Sequence, residues 1–96
     1  MIFGKVAGTV VSTIKSDSIT GTKYLLVRLC SHKEILNDSY LVALDLVGAG
    51  IGEMVIVSQG SSARQSELTY QKPIDAVIVG IVDLVEEKGS TVYRKQ

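Results

Sequence analysis

The opening of the chain alternates. Ile2, Val6, Val10 and Ile14 share one parity, with Gly4 and Gly8 between them, while Lys5, Thr9 and Thr13 take the other. A period of two is the signature of a β-strand, whose successive side chains point to opposite faces. On this reading Gly4 and Gly8 lie on the inward face without side chains. Glycine inside a strand marks a bend or the close approach of another backbone, and strong curvature is what a small closed barrel requires.

The rest of the chain repeats the pattern in short runs. Tyr24 to Cys30 reads as a second strand, with Leu25, Val27 and Leu29 on one face and Arg28 on the other. Ser31 to Ser39 reads as a polar loop with Asn37-Asp38-Ser39 as turn residues. Tyr40 to Leu44 and Glu53 to Ser58 read as further strands, separated by the glycine-rich Asp45 to Gly52. Gly60-Ser61-Ser62-Ala63-Arg64-Gln65 is placed as one helical turn with a serine cap. A strand from Ala76 to Val85 follows Pro73, then a hairpin loop, Glu86-Glu87-Lys88-Gly89, then a last strand from Thr91 to Arg94. No helix of ordinary length is expected. Five or six short strands in 96 residues predict a single all-β domain over 1–96, a small OB-like barrel with a short helical turn.

Composition narrows the function. Hydrophobic residues make up 46% of a chain too short for a large core, so either the surface is sticky or another subunit covers the surplus. Ten basic and ten acidic residues balance, so no electrostatic excess invites a nucleic acid. The one cysteine, Cys30, forms no disulfide within the chain. The sequence starts without a signal-peptide pattern, and its longest apolar run, Ala76 to Val82, is far shorter than a membrane span. A cytoplasmic protein with no membrane partner is expected.

Chemistry is hard to find. Cys30 and His32 are two apart, yet one Cys and one His fall short of a metal set and read as a strand-end thiol and a loop imidazole. Gly60-Ser61-Ser62 lacks the second glycine of a nucleophile elbow. Gly48-Ala49-Gly50-Ile51-Gly52 is followed by a strand, whereas a dinucleotide loop opens a helix. Asp45, Glu53, Asp75 and Asp83 show no pairing that sequence alone can place. No catalytic residue, cofactor or metal is expected. A small enzyme using Cys30 or those carboxylates at an interface, and an OB-like module binding single-stranded nucleic acid or another small ligand, remain as competing readings. The second lacks basic clusters between its aromatics, Phe3, Tyr24, Tyr40, Tyr70 and Tyr93.

Four segments together carry a resemblance. Gly8-Thr9-Val10-Val11-Ser12-Thr13, the run from Asp45 to Val55, Gly60-Ser61-Ser62-Ala63-Arg64, and Pro73-Ile74-Asp75-Ala76 leading to Gly80-Ile81-Val82-Asp83 resemble the EutN/CcmL family of bacterial microcompartment shell vertex proteins. The resemblance spans nearly the whole chain, in order. One departure is Met54, where many relatives carry tryptophan; methionine is an adaptable gap-filler. The 60–65 and 78–83 stretches look closer to the ethanolamine-utilisation branch than to the carboxysome branch. The resemblance implies a five-stranded, OB-like barrel that assembles as a cyclic homo-pentamer, capping the five-fold vertices of a cytoplasmic polyhedral shell whose facets are hexameric proteins. It also implies that Asp45, Gly48, Ala49, Gly50, Gly52, Glu53, Ser61, Ser62 and Arg64 lie at a subunit interface or the central opening.

Overall fold

A computed structural model describes residues 1–11, 23–60 and 75–96. Seven strands occur among them: β1 Ile2–Val10, β2 Tyr24–Cys30, β3 Leu36–Asp45, β4 Met54–Gln59, β5 Ala76–Ile81, β6 Leu84–Glu87 and β7 Ser90–Arg94. The first five close into a barrel in the order β1-β2-β3-β5-β4, and β6-β7 form a separate hairpin. The β3–β5 junction is parallel and the other barrel pairings are antiparallel. Among the described residues no helix is long and apolar enough to cross a membrane. The helical turn expected at 60–65 falls outside the described residues beyond Gly60.

The barrel interior is filled by Val6, Leu25, Val27, Ala43, Val55, Val57 and Ile78, all at most 1% exposed. Alternation along each strand supplies these side chains, as the sequence pattern demands. Gly4 is buried between Leu29 of β2 and Val55 of β4. A Cβ placed there would collide with Val27 Cγ1 and stand 3.2 Å from the Arg28 carbonyl oxygen. The backbones approach so closely at this point that no side chain fits.

Gly8 is a different case. A bulge between Val6 and Gly8 shifts the register, so Gly8 faces Leu26 and Val10 faces Tyr24. Leu26 alternates with buried Leu25 and Val27, so the bulge carries Gly8 and Val10 to the outer face. One inserted residue reverses every side chain beyond it, and the single inward parity expected from Ile2 to Ile14 ends at Val6.

Three other boundaries differ from expectation. The second half of the expected 31–39 loop belongs to β3, because Leu36 pairs with Cys30. The turn itself is Ser31 to Ile35, where Ser31 Oγ accepts the N–H groups of Lys33 and Ile35 at 3.1 and 3.2 Å. Asn37, expected in that turn, caps its own strand by accepting the Ser39 N–H at 2.8 Å. The expected strand Ala76 to Val85 breaks at Val82 and Asp83, where the Val82 N–H donates to the Met54 carbonyl at 2.8 Å. Finally, Glu86 and Glu87 lie in β6, and the hairpin turns on Lys88 (φ 54°) and Gly89 (φ 80°) alone. Two successive left-handed residues give the tight turn that matches strand twist.

Met54 lies with Val82 and Tyr93 in a cluster on the outside of the barrel, joined by Phe3, Cys30, Ile56 and Val85. This cluster anchors the hairpin to β1 and β4. Met54 is 0% exposed, so it fills the position as a packing residue.

Candidate functional site: the loop between β3 and β4

The segment from Asp45 to Glu53 joins β3 to β4 and carries most of the residues singled out from sequence. Asp45 organises it. Its carboxylate accepts the N–H groups of Val47 at 3.1 Å, Gly48 at 3.1 Å and Ala49 at 3.1 to 3.2 Å. The Asp45 side chain is only 2% exposed. An aspartate that bonds the backbone just ahead of it offers the chain a closed turn. Gly48 takes φ 76° and Gly52 φ 88°, the left-handed angles that glycine adopts without steric cost.

The loop is held to the barrel at both ends. Lys23 Nζ stands 3.9 Å from Asp45 Oδ2 and donates to the Ala49 carbonyl at 3.4 Å. Ala49 is buried in the barrel core. The Gly52 N–H donates to the Val6 carbonyl at 2.8 Å, and the Val6 N–H donates to the Glu53 carbonyl at 3.0 Å. At the far end Glu53 Oε1 accepts the Gly50 N–H at 2.6 Å, while Lys95 Nζ contacts Glu53 Oε2 at 2.7 Å. The last residues of the chain are thereby tied to this loop. Gly48, Gly50, Ile51 and Gly52 remain exposed, Ile51 by 71%.

The Lys95 contact, reinforced by the Gly50 N–H, holds the Glu53 carboxyl below its usual range, against a smaller opposing effect of desolvation. Lys95 is raised in return, first by the bond to Glu53. The contribution of Glu53 is full above the ordinary glutamate pKa of about 4.3 and is lost as pH falls through its lower folded value. That of Lys95 is full below the ordinary lysine value and is lost as pH rises through its higher folded value. Thermal midpoints measured down an acid series should therefore fall less steeply in Glu53→Gln than in the wild type. Parallel curves would show that the pair does not couple to folding.

The sequence-derived set thus divides. Asp45, Gly48, Ala49, Gly50, Gly52 and Glu53 come together in one loop. Ser61, Ser62 and Arg64 lie outside the described residues. Asp45 and Glu53 act as internal scaffolding, the bonding of one carboxylate to successive amides, which the Asp-x-x-Gly spacing already hints at. Lys23 and Lys95, which complete the scaffold, were not singled out; their partners lie 22 and 42 residues away, too far for any local signal.

Nothing among the described residues resembles catalytic machinery. No group of three or more His, Cys, Asp or Glu side chains there could hold a metal ion. Burial pushes the Cys30 thiol above its usual pKa, with Glu34 adding to the effect and Lys5 opposing it. That is the reverse of an activated nucleophile. His32 Nε2 lies 3.2 Å from a Glu87 carboxylate oxygen at the hairpin, a fold contact between the β2–β3 turn and β6.

Comparison with known proteins agrees with this picture. The EutN/CcmL family profile, described as ethanolamine utilisation protein EutN/carboxysome, matches residues 1–83. The bacterial microcompartment shell vertex protein GrpN of Rhodospirillum rubrum is 57% identical over 86 residues, 90% of this chain and 97% of that protein. Its solved structure, a pentameric microcompartment shell protein, superposes with a TM-score of 0.81 over 91% of this chain and 99% of GrpN. The carboxysome shell vertex protein CcmL of Gloeobacter violaceus is 43% identical, and its structure gives a TM-score of 0.92 over 99% of this chain and 98% of that one. EutN of Escherichia coli is 34% identical over 90 residues, 94% of this chain and 95% of that protein. Over the whole chain the similarity therefore runs more to the carboxysome protein than to EutN, the opposite of what the 60–65 and 78–83 stretches suggested. Short motifs shared across a family separate its branches poorly.

Proposed function

This chain belongs to the EutN/CcmL family, and from that premise we propose that it is a structural shell protein whose homo-pentamer caps the five-fold vertices of a bacterial microcompartment in the cytoplasm. The observation that carries this is the joint match in sequence and fold to GrpN, a pentameric shell vertex protein, over nearly the full length of both chains. A flat sheet of hexagons cannot close into a polyhedron without five-fold defects, so a small ring-forming subunit has a geometric task beside hexameric facet proteins. The role requires no catalysis.

The β3–β4 loop suits a subunit contact near the ring opening. Asp45 and Glu53 hold its backbone rigid, and Gly48, Gly50 and Gly52 leave that backbone accessible to a neighbour. A preorganised surface loses little freedom on association. Ser61, Ser62 and Arg64 are assigned to the same contact on the family resemblance, with the arginine fork suited to a neighbour's carboxylate or carbonyls. The single-strand-binding alternative finds no support in the charges. Among the described residues, Lys5, Lys23, Arg28, Lys33 and Lys95 each lie within 4.0 Å of a carboxylate of the same chain.

Native mass measured across a dilution series should give a stable pentamer, and Gly50→Val and Arg64→Ala should shift it toward smaller species. Mixed with hexameric facet proteins, the wild type should give closed shells in place of open sheets. A wild-type monomer at all concentrations would overturn the reading.

A further inference from the structure

The ring needs two different faces on each subunit, because cyclic assembly beyond a dimer joins one surface patch to another, unlike one. We propose that, beside the contact of the β3–β4 loop near the opening, the main parts of these two patches are the outer face of the β2–β3 pair and the trough beside β6, so that the occupant of each is a second copy of this chain. The inference rests on the pentameric reading above and identifies the surfaces that build it.

The first face follows from strand register. Leu26 pairs with Val42 and Arg28 with Tyr40, all on the outside of the barrel. Val42 is 48% exposed and Tyr40 52%. Hydrophobic cross-strand pairs normally face a core, and here they face outward. Arg28 lies over the Tyr40 ring at 5.7 Å and is fixed by the Asn37 carbonyl at 2.6 Å and Asp38 at 3.3 Å. The Asp38 side chain is fully exposed. The guanidinium keeps further N–H donors for an incoming acceptor. This face is apolar, with the Arg28–Asp38 ion pair at its edge and unused Arg28 donors beside Tyr40.

The second face lies across the barrel, since the closed order places β4 opposite the β2–β3 seam. Between β6 and the outer surfaces of β1 and β4 runs an open trough lined by Phe3, Ile56 and Leu84, with Ile81 at its β5 end. Leu84 is 42% exposed. Asp83 and Glu86 line the same trough and are exposed, giving an apolar face with an acidic edge. The two faces match in kind, apolar to apolar, and the remaining Arg28 donors suit the Asp83 and Glu86 carboxylates as acceptors. The β6–β7 hairpin supplies a further argument. Among the described residues it joins no larger sheet, and an isolated two-stranded ribbon is marginal in water unless something packs on it. Tyr93 and Val85 pack it on one side; a neighbouring subunit covers the side that carries Leu84.

The test uses Val42→Asp and Leu84→Asp. Both side chains point outward, so each variant should fold with wild-type circular dichroism while its native mass falls from the ring to one subunit. Mixed in equal amounts, the two should form a species of two subunits and no larger one, because only the intact β2–β3 face of Leu84→Asp can meet the intact trough of Val42→Asp. Rings persisting in both variants beside a wild-type ring would overturn this assignment and leave the vertex role intact. Two folded variants that fail to combine would overturn it as well, by showing that the faces do not meet each other. A wild-type monomer would instead overturn the vertex reading, and this inference with it.

Discussion

Asp45→Ala should lower the stability of the subunit by about 3 kcal/mol, the cost of removing a buried charged acceptor and stranding the donors it served. For a domain of this size the loss corresponds to a fall in Tm of roughly 15 °C. The reasoning is local. The carboxylate is almost wholly buried and accepts the N–H groups of Val47, Gly48 and Ala49. With the acceptor gone, these donors must find water or each other, and Ala49 is itself packed in the core. Asp45→Asn should lie between the two. It keeps one oxygen but turns an NH2 group toward an amide that also donates. Lys23→Ala should cost no more than about 0.5 kcal/mol, because the lysine is half exposed and its ammonium stands 3.9 Å away. Chemical denaturation of the three variants separates the effects. An alanine variant within about 0.5 kcal/mol of the wild type would mean that the loop does not depend on Asp45.

Much of the barrel is legible in the sequence because its strands obey a simple alternation. Leu25 and Val27, or Val55 and Val57, sit two apart and point inward with no exception to resolve. The failures occur where the alternation is interrupted without a compositional mark. The bulge after Val6 leaves no trace in residue type, since Ala7 is as acceptable in a strand as in a bulge. The apolar run through Val82 reads as one strand, although the Val82 N–H turns to Met54 and the chain leaves the barrel there. Polar residues 37–39 read as a turn because Asn, Asp and Ser favour turns. In the fold they lie in β3, where Asn37 bonds locally and Asp38 meets Arg28 from the neighbouring strand. The loop reads from its glycines as an irregular connection and becomes a candidate site only through the family resemblance, yet the reason it holds its shape is a pair of carboxylates. Their partners, Lys23 and Lys95, are joined only by the closed topology.

Gly4 and Gly8 show how two identical letters in one strand impose opposite demands, and substituting them gives the sharpest contrast available in this chain. Gly4→Ala should destabilise the subunit by about 2 to 3 kcal/mol, and Gly4→Val by more, as overpacking forces strands apart. The added Cβ would collide with the Val27 side chain and press on the Arg28 backbone, and backbone in a paired strand has nowhere to move. The ordinary gain from removing a flexible glycine, about 0.5 to 1 kcal/mol, is too small to offset this. Gly8→Ala should instead leave stability unchanged or raise it by about 0.5 kcal/mol, because a Cβ there meets nothing within 4 Å and the backbone angle is one that alanine accepts. A double-mutant cycle tests the cause. If the nearest obstacle at Gly4 is Val27 Cγ1, then Gly4→Ala combined with Val27→Ala should cost less than the sum of the single changes, since the truncated valine makes room for the new methyl. Additive losses would place the conflict on the Arg28 carbonyl alone, and a neutral Gly4→Ala would contradict the close approach of β1 and β2 on which the barrel's curvature depends.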